Sequence, residues 1–155
     1  MVIEKGALQS VSKKDLKGFV SFTTPLNITK LGGRGSVFNN NELVKVIVTG
    51  NVNEIGSFAF KNCIELKIII IEEGVKVIDD YAFNSCLNLN TIILPSSIEK
   101  IGKQAFSYCS SKLKIELPRS TAKIVIRSIP EGFRESFCEK RLIINDKPKL
   151  DIQGL

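Results

Sequence analysis

The dipeptide Ala-Phe occurs at Ala59-Phe60, Ala82-Phe83 and Ala105-Phe106, always 23 residues apart, and Cys63, Cys86 and Cys109 keep the same step. A fixed period of this length marks one supersecondary unit stacked on itself, so the repeat constrains the fold more than any local propensity does. Aligned on the period, three units begin at Leu43, Leu66 and Leu89. Each opens with a β-branched run of strand length in which apolar residues alternate after the first leucine. A strand breaker follows, namely Gly50, Gly74 or Pro95-Ser96-Ser97. Two apolar residues three apart come next (Val52/Ile55, Val75/Ile78, Ile98/Ile101), then Ala-Phe, then Cys. That second half is too short and broken for a full helix and is expected to form tight turns or a short bridge with some 3₁₀ geometry.

Two flanking units are degenerate. Upstream, Pro25, Ile28, Leu31 and Gly32 match Pro95, Ile98, Ile101 and Gly102 at an offset of 70, one more than three periods. This predicts a first rung from about Phe19, with Phe38 in the phenylalanine slot beyond an enlarged loop at 32–35. Downstream, Ile115, Leu117, Pro118, Ser120 and Ile124 match Ile92, Leu94, Pro95, Ser97 and Ile101 at an offset of 23, after which the Ala-Phe-Cys half is lost. The expectation is a β-rich α/β-type solenoid of about five rungs with a parallel strand face, turn or 3₁₀ segments opposite, and atypical ends. It forms one domain, with an N-terminal cap at 1–18, repeats at 19–134 and a C-terminal cap at 135–155. Within the caps, Leu8, Val11 and Leu16 sit near helical spacing. Ile124-Val125-Ile126 reads as a strand, Pro130-Glu131 opens a short helix carrying Phe133 and Phe137, and 141–145 returns as a final strand.

Phe60, Phe83 and Phe106 are expected to stack inside the coil, since parallel rungs about 4.8 Å apart bring like side chains into register. The cysteine ladder invites a metal or redox reading, but the chain has no histidine and no C-x-x-C pair. Thiols one rung apart do not make a tetrahedral set, and parallel Cβ directions disfavour disulfides. Small packed residues whose S–H groups meet local carbonyls are the expectation, with Cys138, outside the register, as the more reactive thiol.

The formal charge of +6 divides as +3 over residues 1–42, −1 over 43–111 and +4 over 112–155, so the repeat body is near neutral and the ends are basic. Basic ends attract polyanions, yet no Lys/Arg run or stacking aromatics accompany them. Nucleic acid is therefore disfavoured as a partner. No signal-peptide pattern opens the chain and Ile68–Ile71 is far too short to span a bilayer, so a cytoplasmic location is expected, without membrane insertion. Without histidine, a nucleophile motif or paired carboxylates, neither catalysis nor a cofactor is expected, and the Gly-rich run at 32–36 lacks the lysine of a phosphate loop.

Alternation along each strand sends Val46/Val48, Ile69/Ile71, Ile92/Leu94 and Ile115/Leu117 inward. It leaves Lys45, Ile47, Thr49, Ile68, Ile70, Glu72, Thr91, Ile93, Lys114 and Glu116 outward. Ile47, Ile70 and Ile93 then form an exposed row, widened by Ile68, with Thr91 alongside and Lys45, Glu72, Lys114 and Glu116 at its margins. Such a row is either a docking patch for a protein partner or a consequence of strand propensity alone.

The pattern L-x-x-I-x-I/L-P-x-x-I-x-x-I-G-x-x-A-F-x-x-C resembles the BspA-type leucine-rich repeat. Leu89 to Cys109 matches nearly slot for slot, and Leu43–Cys63 and Leu66–Cys86 follow closely. Departures are Gly50 and Glu72-Glu73 at the proline slot and Asp79 at the glycine slot. The resemblance implies a right-handed, curved leucine-rich-repeat coil with its parallel strands on the concave side. It also implies binding of other proteins, often at cell surfaces. Two alternative functions stay open: polyanion binding through the basic ends, and a self-associating structural or adhesin-like role at the surface.

Overall fold

The computed structural model describes residues 1–11, 21–32, 36–38, 42–132 and 142–145. Their strands form two six-stranded sheets. One is built from β1 (Val2–Glu4), β2 (Ala7–Ser10) and the two-residue strands β4 (Lys30–Leu31), β6 (Glu54–Ile55), β8 (Val77–Ile78) and β10 (Lys100–Ile101). The other holds β3 (Ser21–Thr23), β5 (Lys45–Val48), β7 (Ile68–Ile71), β9 (Thr91–Ile93), β11 (Lys114–Pro118) and β12 (Leu142–Asn145). All neighbours pair in parallel except the β1–β2 hairpin, whose Lys5 and Gly6 both have positive φ, as a tight primed turn requires. Each pass of the chain through both sheets is one rung, and about five rungs make a β-solenoid.

The period sets the register. Val46 pairs with Ile69, Ile69 with Ile92 and Ile92 with Ile115. The four predicted inward pairs are all 2% exposed or less, so the alternation of the strands did assign the core face. Phe38, Phe60, Phe83 and Phe106 form a buried stack with successive ring centroids 4.9, 5.0 and 5.2 Å apart and planes within 12°. Phe22 meets Phe38 edge-on at 5.1 Å. The offset match that placed Phe38 in the phenylalanine slot is thus correct.

Behind the stack the chain runs through tight turns, with Ala59 N–H bonding to Gly56 O and Cys63 N–H to Phe60 O. Left-handed residues recur on the period, at Phe58, Tyr81 and Gln104 and again at Asn62, Ser85 and Tyr108, and keep these turns from growing into a helix. The N–H groups of Phe60 and Phe83 bond to Ala82 O and Ala105 O of the next rung, both at 2.7 Å, so the turn side is also cross-linked by backbone.

Each ladder cysteine donates its S–H to the carbonyl of the phenylalanine one rung back: Cys63 to Phe38 O (3.3 Å), Cys86 to Phe60 O (3.0 Å) and Cys109 to Phe83 O (3.2 Å). The acceptors are therefore inter-rung and not local. The adjoining Cys86 side chain and burial hold the Cys63 thiol far above the ordinary thiol range, and burial with the Cys109 side chain raises Cys86 likewise. These are packed thiols, not nucleophiles. Cys138 lies outside the described residues.

Two terminal expectations are corrected. Residues 7–10 are strand, not helix, because Leu8 and Ala7 pair in register with Leu31 and Lys30 of the first rung. Leu16 lies outside the described residues. Residues 124–126 belong to a helix, Arg119–Gly132, and not to a strand. Thr121, Ala122 and Val125 are buried on one helical face, while Lys123, Ile126 and Arg127 are exposed. The Thr121 hydroxyl donates to Pro95 O at 2.8 Å and ties that face to the preceding rung. This helix ends where one had been expected to open, at Pro130-Glu131, and Phe133 and Phe137 lie outside the described residues. The final strand is present as Leu142–Asn145, paired in parallel with β11.

Candidate interaction surface

The long-strand sheet turns one set of side chains into the core and the other out. In register across the rungs, the outward set forms two rows: Lys45, Ile68, Thr91, Lys114, and Ile47, Ile70, Ile93, Glu116. Ile143 of β12 continues the second row beside Glu116 and is exposed. Lys114 is exposed, whereas Lys45, Ile47, Ile68, Glu72, Thr91, Ile93 and Glu116 are half-buried.

Ile70 is the exception and corrects the expected exposed row: only 1% of it reaches solvent. It has in-register isoleucines on both sides and sits at the sheet's centre. The strip is therefore apolar at its surface through Ile47, Ile68 and Ile93, with Ile70 filled in between them. Thr49 is also closed off at 7%, because its hydroxyl shares a 2.8 Å bond with that of Thr24 while its N–H donates to the same Thr24 oxygen.

At the carboxyl ends of the strands the face opens into a groove lined by Ile71, Glu72, Glu73, Ile93, Leu94, Pro95, Glu116, Leu117, Pro118 and Asn145. It brings together three of the sequence-assigned residues, Glu72, Ile93 and Glu116. The other six, Lys45, Ile47, Ile68, Ile70, Thr91 and Lys114, lie outside its lining. Sequence reasoning missed Glu73, Pro95, Pro118 and Asn145, although one aligned slot holds Thr49, Glu72, Pro95 and Pro118 and so marks this wall.

Two of its three carboxylates, Glu72 and Glu73, are held by backbone N–H groups and a hydroxyl and not by cations. Glu72 Oε2 accepts from Gly50 N–H at 3.3 Å. Glu73 accepts from Ser96 N–H (2.7 Å), the Ser96 hydroxyl (2.8 Å) and Ser97 N–H (3.1 Å), bracing the next rung's Pro-Ser-Ser turn. At Gly74, with φ +115°, a side chain would overlap the Gly50 carbonyl. Two glycines thus let successive turns nest where the usual proline is missing.

The opposite sheet carries paired charge: Lys30 with Glu54 at 2.7 Å, Lys76 with Glu99 at 3.2 Å and Lys100 with Asp79 at 3.4 Å. Burial alone would raise the Asp79 carboxyl. The Ser57 hydroxyl donating at 2.7 Å, the Asp80 N–H and the Lys100 ammonium outweigh it and hold Asp79 below its ordinary value. Among the described residues no group of three or more histidine, cysteine or acidic side chains is placed to hold a metal, and no helix is long and apolar enough to cross a membrane.

Inward-facing strands stacked at a leucine-rich period, with tight turns opposite, define a leucine-rich-repeat solenoid. The chain belongs to the BspA-type leucine-rich repeat family, which matches residues 18–131 in six copies. Among solved structures it is similar to the pneumococcal vaccine antigen PcpA, with 29% identity and a TM-score of 0.63 over 74% of this chain and 27% of that one. A leucine-rich repeat protein from Bacteroides ovatus shares the fold at 23% identity and a TM-score of 0.53, over 77% of this chain and 35% of that one. The chain thus spans roughly a quarter to a third of the length of these structures. No curated protein matches it significantly.

Proposed function

We propose that the chain is a non-catalytic protein-interaction module that docks a protein partner on its long-strand face. The contacts would come from Lys45, Ile47, Ile68, Thr91, Ile93, Lys114 and Glu116, with Glu72 at the strand ends and Ile70 as the packed support beneath them. The observation that carries this reading is the apolar strip of Ile47, Ile68 and Ile93, framed by charged groups and held on a parallel sheet that cannot repack without disturbing the core. An apolar centre with a polar rim is the composition a docking patch needs. Thiols committed to backbone carbonyls argue for scaffold over chemistry. Family membership supports the same class of role, and a place at the cell surface accords with the pneumococcal relative being a vaccine antigen.

Affinity capture from the source cells, comparing the native chain with Ile47→Glu, tests the face. Loss of the captured protein with stability lowered by less than about 1 kcal/mol is the expected result, and an identical captured set rejects the surface. A polyanion partner is disfavoured on this face by Glu72, Glu73 and Glu116. Binding through the strip should persist as salt rises, whereas polyanion binding through the basic ends would fall steeply.

A further inference from the structure

We infer that the groove at the carboxyl ends of β7, β9, β11 and β12 takes a basic side chain, an arginine or a lysine, from an extended segment of the protein partner. The inference rests on the strand face being the docking surface and adds the chemistry of the occupant. The groove's lining includes the apolar Ile93, Pro95 and Pro118, which suit the methylene stem of a long cationic side chain. The lining also carries Glu72, Glu73 and Glu116 and no lysine or arginine, in a chain whose net charge is +6. The Glu116 carboxylate meets no hydrogen-bond or ion-pair partner among the described residues, its backbone being bonded to Leu94, and the side chains of Glu72 and Glu73 are met only by backbone N–H groups and a hydroxyl.

An occupant's cation would therefore meet three carboxylates on one groove, of which Glu72 and Glu116 are half-buried and Glu72 and Glu73 are already held by the turns. An anionic or purely apolar occupant would leave three negative charges crowded around it. The groove thus selects by sign of charge, while the isoleucine strip beside it supplies area.

The test is an amide-resolved NMR titration of the full chain with two capped pentapeptides, Ala-Leu-Arg-Leu-Ala and its glutamine counterpart Ala-Leu-Gln-Leu-Ala. Saturating shifts at Ile93, Leu94, Glu116 and Leu117 with the arginine peptide are expected. The glutamine peptide, and the arginine peptide on a Glu116→Gln chain of unchanged melting temperature, should each bind about tenfold more weakly. Equal binding of the two peptides overturns the inference, as does the absence of shifts at these amides. Shifts there driven by protein concentration alone would assign the groove to a second copy of the chain and also overturn it. The capture comparison with Ile47→Glu probes the face away from the groove, so the two readings can fail separately.

Discussion

The two sheets of this coil come from the same repeat, yet they dispose of charge in opposite ways. On the sheet of short strands, lysines and carboxylates from successive rungs pair directly, Lys30 with Glu54, Lys76 with Glu99 and Lys100 with Asp79. On the long-strand sheet, the carboxylates at 72 and 73 turn to backbone N–H groups, and the Glu116 carboxylate has no partner among the described residues. Cross-rung pairs at half-exposed positions add little stability, about 0–1 kcal/mol each, but they neutralise a surface. One side of the molecule is thereby finished against solvent, and the other keeps apolar area and unneutralised charge that a partner can use. The stacking is common to both sides, and the slots that vary between rungs make them differ.

The comparison breaks most severely at the element both sheets share. Phe83 lies between Phe60 and Phe106 with nothing of it exposed, so Phe83→Ala should cost roughly 3–5 kcal/mol. In chemical denaturation both sheets should lose structure in one transition at a much lower midpoint. A midpoint unchanged within error would refute the shared aromatic interior.

Within the long-strand sheet, Ile70→Glu should destabilise by about 2–4 kcal/mol, because it places a carboxylate where an in-register row leaves no room for water. Ile47→Glu, on the half-buried neighbour, should cost under about 1 kcal/mol. Equal melting temperatures for the two variants would mean that the row is uniformly exposed.

The smallest effect belongs to the short-strand sheet. Because the folded state holds Asp79 below its ordinary value of 3.8, its contribution is fully present above that pH and is lost as pH falls through the lower folded value. Asp79→Asn should therefore lower stability slightly at pH 7 and flatten its decline under acid. An acid denaturation profile identical to that of the native chain would show that the Ser57–Asp79–Lys100 cluster contributes nothing.

The repeat made much of this legible in advance. The 23-residue step placed the phenylalanine stack, the inward strand residues and, through an offset match, Phe38. It did so because identical slots in parallel rungs must meet identical slots. Terms that depend on neighbours outside the period were not legible. Residues 7–10 are strand because Leu31 offers them an edge, and 124–126 are helix because Thr121, Ala122 and Val125 find one face to bury. Their β-branched or helically spaced residues pointed the other way, and tertiary packing overrode that preference. The second sheet escaped notice because two-residue strands such as Glu54–Ile55 are too short to alternate visibly. Of the candidate site, the outward register was readable. The burial of Ile70 was not, since alternation gives direction but not how tightly a central position is flanked. The groove drew on a slot whose proline, threonine and glutamate share no chemistry until the rungs are stacked.

The phenylalanine stack is also a ruler. Its centroids repeat every 4.9 to 5.2 Å, close to the spacing of about 4.8 Å expected between neighbouring strands. An extended peptide lying across the rungs presents same-side residues only about every 6.8 Å. The two scales act as a vernier, coinciding after about three same-side steps against four rung steps, roughly 20 Å. An extended peptide laid across the rungs would come back into phase with the outward rows only after about four rung steps. About five rungs are long enough to hold one such coincidence, and too short to hold two.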